Sequence, residues 1–257
     1  MLGNCKLCDQ YKELQKSHAI GNAVFKKVFR TLSGKGIALA NGNNPIMYSS
    51  DSWAEFQLCK YCEQFLNQEF EAYSLALLRG QKGFIKHPEG VSFPEAKQSV
   101  LIKYFLSIYF RAALSGQSSY KSIGITKEDI NLLKSVFRDE KRIPSSIYHV
   151  QISRVIDMSE EQGFSDEAIK QIICAPFVRL NTVKLGSISV CFMFEGFFIE
   201  IFVTGMKIKK RKSKGVLNSK RSILFVPYVN LFQLDEIVEL MVSNLDKYEK
   251  GNHSINE

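Results

Sequence analysis

The chain has 257 residues, of which 45% are apolar and 23% charged, and its formal net charge is +8. That is enough apolar material to bury a core in one large domain or in two to three small ones. No run of eighteen apolar residues escapes a charge or a turn signal, and Cys5 and Cys8 stand where the apolar stretch of a signal peptide would lie. The chain therefore reads as globular and cytoplasmic, with no membrane span.

The first predicted module is organised around cysteines. From Cys5 the chain reads CKLCDQYKELQKSHAI, and fifty residues after Cys8 the next CxxC appears in LCKYCEQFLNQEFEAY, as Cys59 and Cys62. Between them NAVFKKVFRTL has apolar residues at helical spacing, and SGKGIALANGNNPIMYSSDS is rich in turn formers. The second pair opens a predicted helix that runs to about Arg79.

GQKGFIKHPEG carries turn signals, after which residues 95–116, EAKQSVLIKYFLSIYFRAALSG, predict a long buried helix. TKEDINLLKSVFRDEK predicts a second one, capped at Thr126 and ending before Pro144. From Ile147 the apolar runs shorten. SIYHVQISRVI alternates as a strand does, SDEAIKQIICA predicts a short helix, and SISVCFMFEGFFIEIFV predicts a hairpin turning at Glu195 and Gly196. SILFVPYV predicts a further strand, and QLDEIVELMVSNLDKYEK an amphipathic closing helix. No internal repeat or low-complexity tract is visible.

Paired CxxC motifs in a cytosolic chain read as metal ligands before they read as disulfides. Structural zinc takes four soft ligands in a tetrahedron, and Cys5, Cys8, Cys59 and Cys62 match that type and number. A thioredoxin-type redox pair asks for a CxxC that opens a helix after a strand, which neither pair satisfies well. Cys174 and Cys191 stand alone in apolar surroundings and read as core. Closure by four thiolates leaves His18 open to three readings: a hydrogen-bonded structural residue, a ligand in place of one cysteine, or a group available for chemistry.

The segments CKLCDQYKELQKSHAI and DSWAEFQLCKYCEQFLNQEFEAY together resemble a bacterial and phage family of HNH-type endonucleases. In that family CxLC, a Ser-His-Ile-Ile-Pro-like segment and an LLCxxCE helix recur. The likeness continues into LIKYFLSIYFRAALS and covers the first 115 residues. It implies a ββα unit around a divalent ion, braced by the zinc-binding pairs, that hydrolyses DNA phosphodiesters in defence or in mobile elements. It implies His18 as the general base that takes a proton from water. It also implies Glu63 or Glu69, with Asp51, as oxygen ligands for a catalytic magnesium or manganese ion.

The sequence departs from this pattern at several places. Ser17 stands where such enzymes carry a metal-binding aspartate or histidine, Gly21 where they carry a proline, and Glu63 where they carry a histidine or asparagine. Asn41, Asn43 and Asn44 compete for the middle asparagine, and Asp51 reads equally as a turn cap. Six positions separate Glu63 from Glu69, about 600° of helical rotation, so the two diverge. The alternative is a non-catalytic, zinc-stabilised module that binds nucleic acid or protein. On either reading the fold class is α+β: a zinc-braced ββα (HNH-like) module over 1–85, a helical middle over 86–144, and an α+β region with antiparallel strands over 145–257.

The charge excess is local. Of the 34 basic side chains, eight lie between Gly205 and Ser222 with no acid among them, and the remaining 26 balance the 26 acidic ones. Lys207, Lys209, Lys210, Arg211, Lys212 and Lys214, with Lys220 and Arg221, form this segment, placed between two strands in a long loop or a ribbon. Such a concentration points to phosphate contact, salt-sensitive and independent of sequence, where a plain solvated loop is the alternative. Phe192, Phe194, Phe197, Phe198 and Phe202 read as core, and no motif of exposed stacking aromatics is present. No glycine-rich phosphate loop is present, which argues against a nucleotide cofactor. His87, His149 and His253 have no partners at metal-ligand spacing.

Overall fold

The cysteine turn folds the first two strands of the chain back on each other. The computed structural model describes residues 1–31, 38–39, 46–47, 54–144, 146–161, 163–181, 187–250 and 253–254. Strands β1 (Leu2–Asn4) and β2 (Tyr11–His18) flank that turn; after helix α1 (Asn22–Thr31) and the two-residue strands β3 (Ala38–Leu39) and β4 (Ile46–Met47) comes β5 (Ala54–Cys59). The order β1-β2-β5 forms a three-stranded antiparallel sheet, with Leu14 opposite Cys59 and His18 opposite Ala54.

Cys59 ends β5 and the helical run begins at the next residue, so the second CxxC does open a helix after a strand, which corrects the expectation that neither pair fits that arrangement. It consists of α2 (Lys60–Leu66), a π-helical turn over Asn67–Glu71, and α3 (Ala72–Leu78). This matches the helix expected to run to about Arg79, apart from the π turn. Asp51, Asn41, Asn43 and Asn44 lie outside the described residues.

The turn signals before Pro88 conceal a hairpin. Residues Ile85–His87 are β6 and Gly90–Phe93 are β7, paired antiparallel, so the turn signals belong to a hairpin whose strands are not predicted from the sequence. All four residues of β7 are buried. A Cβ on Gly90 would lie 2.3 Å from the carbonyl oxygen of Val226, so glycine is what allows the neighbouring strand to approach.

Helix α4 (Gln98–Ala113) is buried along most of its length, as its apolar run requires, and α5 (Lys127–Phe137) follows. The Thr126 hydroxyl caps α5 by accepting the backbone N–H of Asp129 at 3.1 Å. Beyond them lie β8 (His149–Ile156), α6 (Asp166–Gln171), β9 (Ile173–Asn181), β10 (Ser187–Phe194), β11 (Phe197–Phe202), β12 (Leu224–Asn230), α7 (Asp235–Glu249) and β13 (His253–Ser254). The short helix predicted over SDEAIKQIICA stops at Gln171, because Ile173 onward pairs in the sheet with β10.

The large sheet has eight strands in the order β3-β9-β10-β11-β8-β12-β7-β6, mostly antiparallel, with β12 parallel to β8 and β3 parallel to β9. Strand alternation divides its side chains between two faces. Val190, Phe192, Phe194, Ile199 and Ile201 join Leu101, Phe105 and Ile108 of α4 in the main core. Cys191, Met193, Phe198 and Cys174 face Ile169 of α6 and Ile237 and Leu240 of α7. The phenylalanines and the lone cysteines are therefore core, as their surroundings suggested. The main cluster runs from Cys5 to Val226 and draws residues from all three predicted regions. Among the described residues no helix is long and apolar enough to cross a membrane.

The β10–β11 turn fastens this sheet to the N-terminal helices. Glu195 and Gly196 both have positive φ, 52° and 72°, the requirement of a tight two-residue hairpin. A Cβ on Gly196 would lie 2.6 Å from Nη1 of Arg154. The carboxylate of Glu195 is 3% exposed and accepts from Lys27 Nζ of α1 at 2.6 Å and from Arg79 Nε, just past α3, at 2.8 Å. Its backbone carbonyl accepts from Arg154 Nη1 at 2.8 Å.

Removing a buried carboxylate strands its cationic partners. Glu195→Ala is expected to lower the unfolding free energy by roughly 2–3 kcal/mol, seen as a lower urea midpoint at unchanged slope. Lys170→Ala removes only the exposed pair with Glu167 and is expected to cost less than about 0.5 kcal/mol.

Candidate metal centre

The sulfur atoms of Cys5, Cys8, Cys59 and Cys62 lie within 4.8 Å of one another and form a group that could hold a metal ion. Cys8 Sγ and Cys59 Sγ are 3.9 Å apart. Four thiolates around zinc, each about 2.3 Å from the ion, stand roughly 3.8 Å apart in a tetrahedron, so the donor set and its spacing fit zinc.

Backbone geometry prepares this site. Cys5 N–H donates to the carbonyl of Gln10, and Asp9, with φ of 62°, donates its N–H back to the carbonyl of Cys5, which closes the first CxxC into a turn. Lys6 N–H donates to the carbonyl of Gln57, which draws this turn onto β5. Cys59 N–H donates to the sulfur of Cys5 at 3.3 Å. Helix α5 supports the turn from outside, where Arg138 Nη2 donates to the carbonyl of Leu7 at 2.9 Å and Lys134 pairs with Asp9.

Crowding of the sulfurs divides their proton affinities. A hydrogen bond from the Cys62 thiol holds Cys5 down to about 4, and the same bond pushes Cys62 up. Burial raises Cys8. A bound cation needs all four as thiolates, so binding zinc would displace protons and acid would favour its release.

The residues proposed for chemistry lie at the far end of β2 and on the helix after β5. His18 is the last residue of β2, outside the cysteine group, 7% exposed, with its ring centroid 5.9 Å from that of Phe25. The preceding Ser17 donates its hydroxyl to Glu63 Oε2 at 2.7 Å. Glu69 is exposed and lies within the π turn. Among the described residues, the four cysteines are the only group of three or more His, Cys, Asp or Glu side chains placed to share a metal ion.

Two residues that sequence reasoning passed over complete this polar cluster. Arg111, 3% exposed near the end of α4, places Nη1 3.6 Å from Glu63 Oε1 and Nη2 3.9 Å from Oε2 of the buried Glu71. Burial pushes the Glu71 carboxyl up, and Arg111 partly offsets this. The signal for Arg111 was a lone charge inside the apolar run YFLSIYFRAA, which a helix can bury only beside a counter-charge.

The basic segment is a loop between β11 and β12 with a short 3₁₀ turn over Lys210–Lys212. Its root is fixed: Leu217 N–H donates to Val150, Asn218 N–H to the side chain of Gln98, and Gly215, with φ of 79°, packs against the carbonyl of Ile152. Lys214 pairs with Glu89 at 2.7 Å. Among the described residues, Lys207, Lys209, Lys210, Arg211, Lys212, Lys220 and Arg221 have no acidic side chain within ion-pair distance. Of the other histidines, His87 Nε2 is 2.7 Å from the hydroxyl of Ser92, while Nδ1 of His149 is buried without a hydrogen-bond partner.

The chain matches no protein-family model, no curated protein and no solved structure. Its residues and their geometry therefore carry the assignment.

Replacing a metal-binding cysteine should unfold the module it closes. Purified protein is expected to contain one zinc per chain by elemental analysis, and Cys62→Ser to lose most of it. The accompanying drop in melting temperature should be roughly 10 °C or more. Cys191→Ala, a core change, should leave the zinc content unaltered.

Proposed function

We propose that the chain is a zinc-braced module that binds nucleic acid through the loop between β11 and β12. The observation that carries this reading is the seven loop cations without an acidic partner among the described residues, on a chain whose charges outside residues 205–222 cancel. Phosphates supply the missing counter-charge, and the loop's fixed root lowers the entropy lost on binding. The contact is to the backbone, so the affinity is sensitive to salt and indifferent to sequence.

A second reading has a specific observation in its favour. His18 ends β2, and its antiparallel partner β5 leads directly into the helix that carries Glu63. That order is the one that resemblance to HNH-type endonucleases implies, with His18 as the base in phosphodiester hydrolysis. The burial of His18 and the engagement of Glu63 by Ser17 and Arg111 weigh against it.

One set of measurements separates the two. Fluorescence anisotropy with labelled single-stranded and duplex DNA should show binding whose logarithm falls linearly with that of salt. Each phosphate that is no longer neutralised should reduce the slope by about 0.7–0.9, so K207Q/K209Q/K210Q/K212Q should reduce it by roughly 3. An unchanged slope in this variant, or no binding at low salt, would sink the proposal. The same DNA incubated with zinc-loaded protein and added magnesium or manganese should stay intact; cutting that His18→Ala abolishes at equal zinc content would establish the second reading.

A further inference from the structure

Glu63 and Glu71 are eight positions apart. On an unbroken α-helix eight residues rotate about 800°, which leaves the two side chains some 80° out of line. The π-helical turn over Asn67–Glu71 inserts one residue into a turn. Eight positions then rotate as seven would, about 700°, within some 20° of two full turns. The two carboxylates consequently face one group, the buried guanidinium of Arg111. Glu69, the carboxylate suggested by sequence, is turned out to solvent.

The surroundings are built for this arrangement. Ser17 holds the second oxygen of Glu63. Glu71 lies beneath Gly21, where a Cβ would come within 2.2 Å of its carboxylate. Arg111 is itself fixed, with Nε donating to the carbonyl of Ser107 at 3.3 Å. Tyr104, two turns before Arg111 on the same face of α4, is fully buried, and its hydroxyl has no hydrogen-bond partner. Both carboxylates stand slightly beyond hydrogen-bond reach of the guanidinium, at ion-pair distance.

A divalent ion binds where carboxylate oxygens converge on a position that holds no other positive charge. Here the position on which Glu63 and Glu71 converge is taken by Arg111, so the residues present do not fit a magnesium or manganese ion. We infer that Arg111 replaces the divalent cation at the end of β2, a fixed internal charge that holds Glu63 and Glu71 together. The π turn exists to bring Glu71 to that charge. This inference does not depend on whether the loop binds nucleic acid.

The test is titration of Mn²⁺ into the full-length, zinc-loaded protein, with free Mn²⁺ read by its EPR signal. Wild type should bind none that depends on Glu63 or Glu71. R111M should bind Mn²⁺ at least about tenfold more tightly than wild type, and R111M/E71Q should lose the gain. A Mn²⁺ ion bound by wild type and lost in E63Q or E71Q would overturn the inference, as would a folded, zinc-loaded R111M that gains no affinity. Should R111M fail to fold, the ¹⁵N resonance of Arg111 Nε in the wild type decides: unchanged in excess Mg²⁺ it supports the inference, and displaced it refutes it.

Discussion

Four sulfur atoms gathered into one small volume set the geometry of the N-terminal third. Cys8 and Cys59 are 51 positions apart, and closing a loop of that length costs roughly 3–4 kcal/mol of chain entropy. A metal ion held by the four thiolates would meet that cost, since a four-thiolate zinc site has binding free energy to spare. Once the turn at Cys5–Cys8 meets the β5–α2 junction, the pairing of Leu14 with Cys59 and of His18 with Ala54 follows. The start of α2 is fixed in the same step, and with it the direction in which Glu63 points. The polar cluster at the end of β2 is therefore a consequence of the cysteine site at its other end.

Buried charge makes the remaining connections. Glu195 joins the tip of the β10–β11 hairpin to α1 and to the end of α3, and Arg154 secures the same tip from β8 while its guanidinium lies 4.9 Å from the ring of Phe197. Arg111 does the corresponding work between α4 and the helical run after Cys62. Neither network adds much stability over a well-packed apolar alternative. Each is costly to break from one side, which makes the orientation of the parts specific.

Much of this was legible in the sequence, for identifiable reasons. The cysteine cluster follows from ligand type and number. The Glu195–Gly196 turn, the capped α5, the buried α4 and the closing helix follow from periodicity and turn chemistry, which are local properties. What was hidden is non-local. Strands β6 and β7 are short and flank a proline, and β7, which begins with glycine, acquires its identity from pairing with β12, more than a hundred residues away. The π turn hid the partner of Glu63. Counting at a uniform 100° per residue rightly sets Glu69 apart from Glu63, but it also leaves Glu71 some 80° out of line, and the inserted residue is what brings Glu71 round. Arg111 belongs to the long helix by sequence and to the end of β2 by position, and only the fold brings these together.

The two polar features of the molecule are separated by the length of one helix. Gln98, at the start of α4, accepts from Asn218 and donates to the carbonyl of Ile223, both at the root of the basic loop. Arg111 is thirteen residues further on, about 20 Å along the axis. One strand of a B-form duplex covers that distance along the helix axis in about six phosphates, so geometry permits a single ligand to pass both places. The exposures differ, however. The loop offers its cations to solvent, whereas Arg111 and Glu71 are buried and pair with each other at 3.9 Å. A backbone passing over the loop finds unpaired positive charge at one end of α4, and at the other a closed network whose net charge, with both glutamates ionised, is negative. If the chain binds nucleic acid as proposed, electrostatics places the contact at the loop and leaves the cluster at the end of β2 to hold the module together.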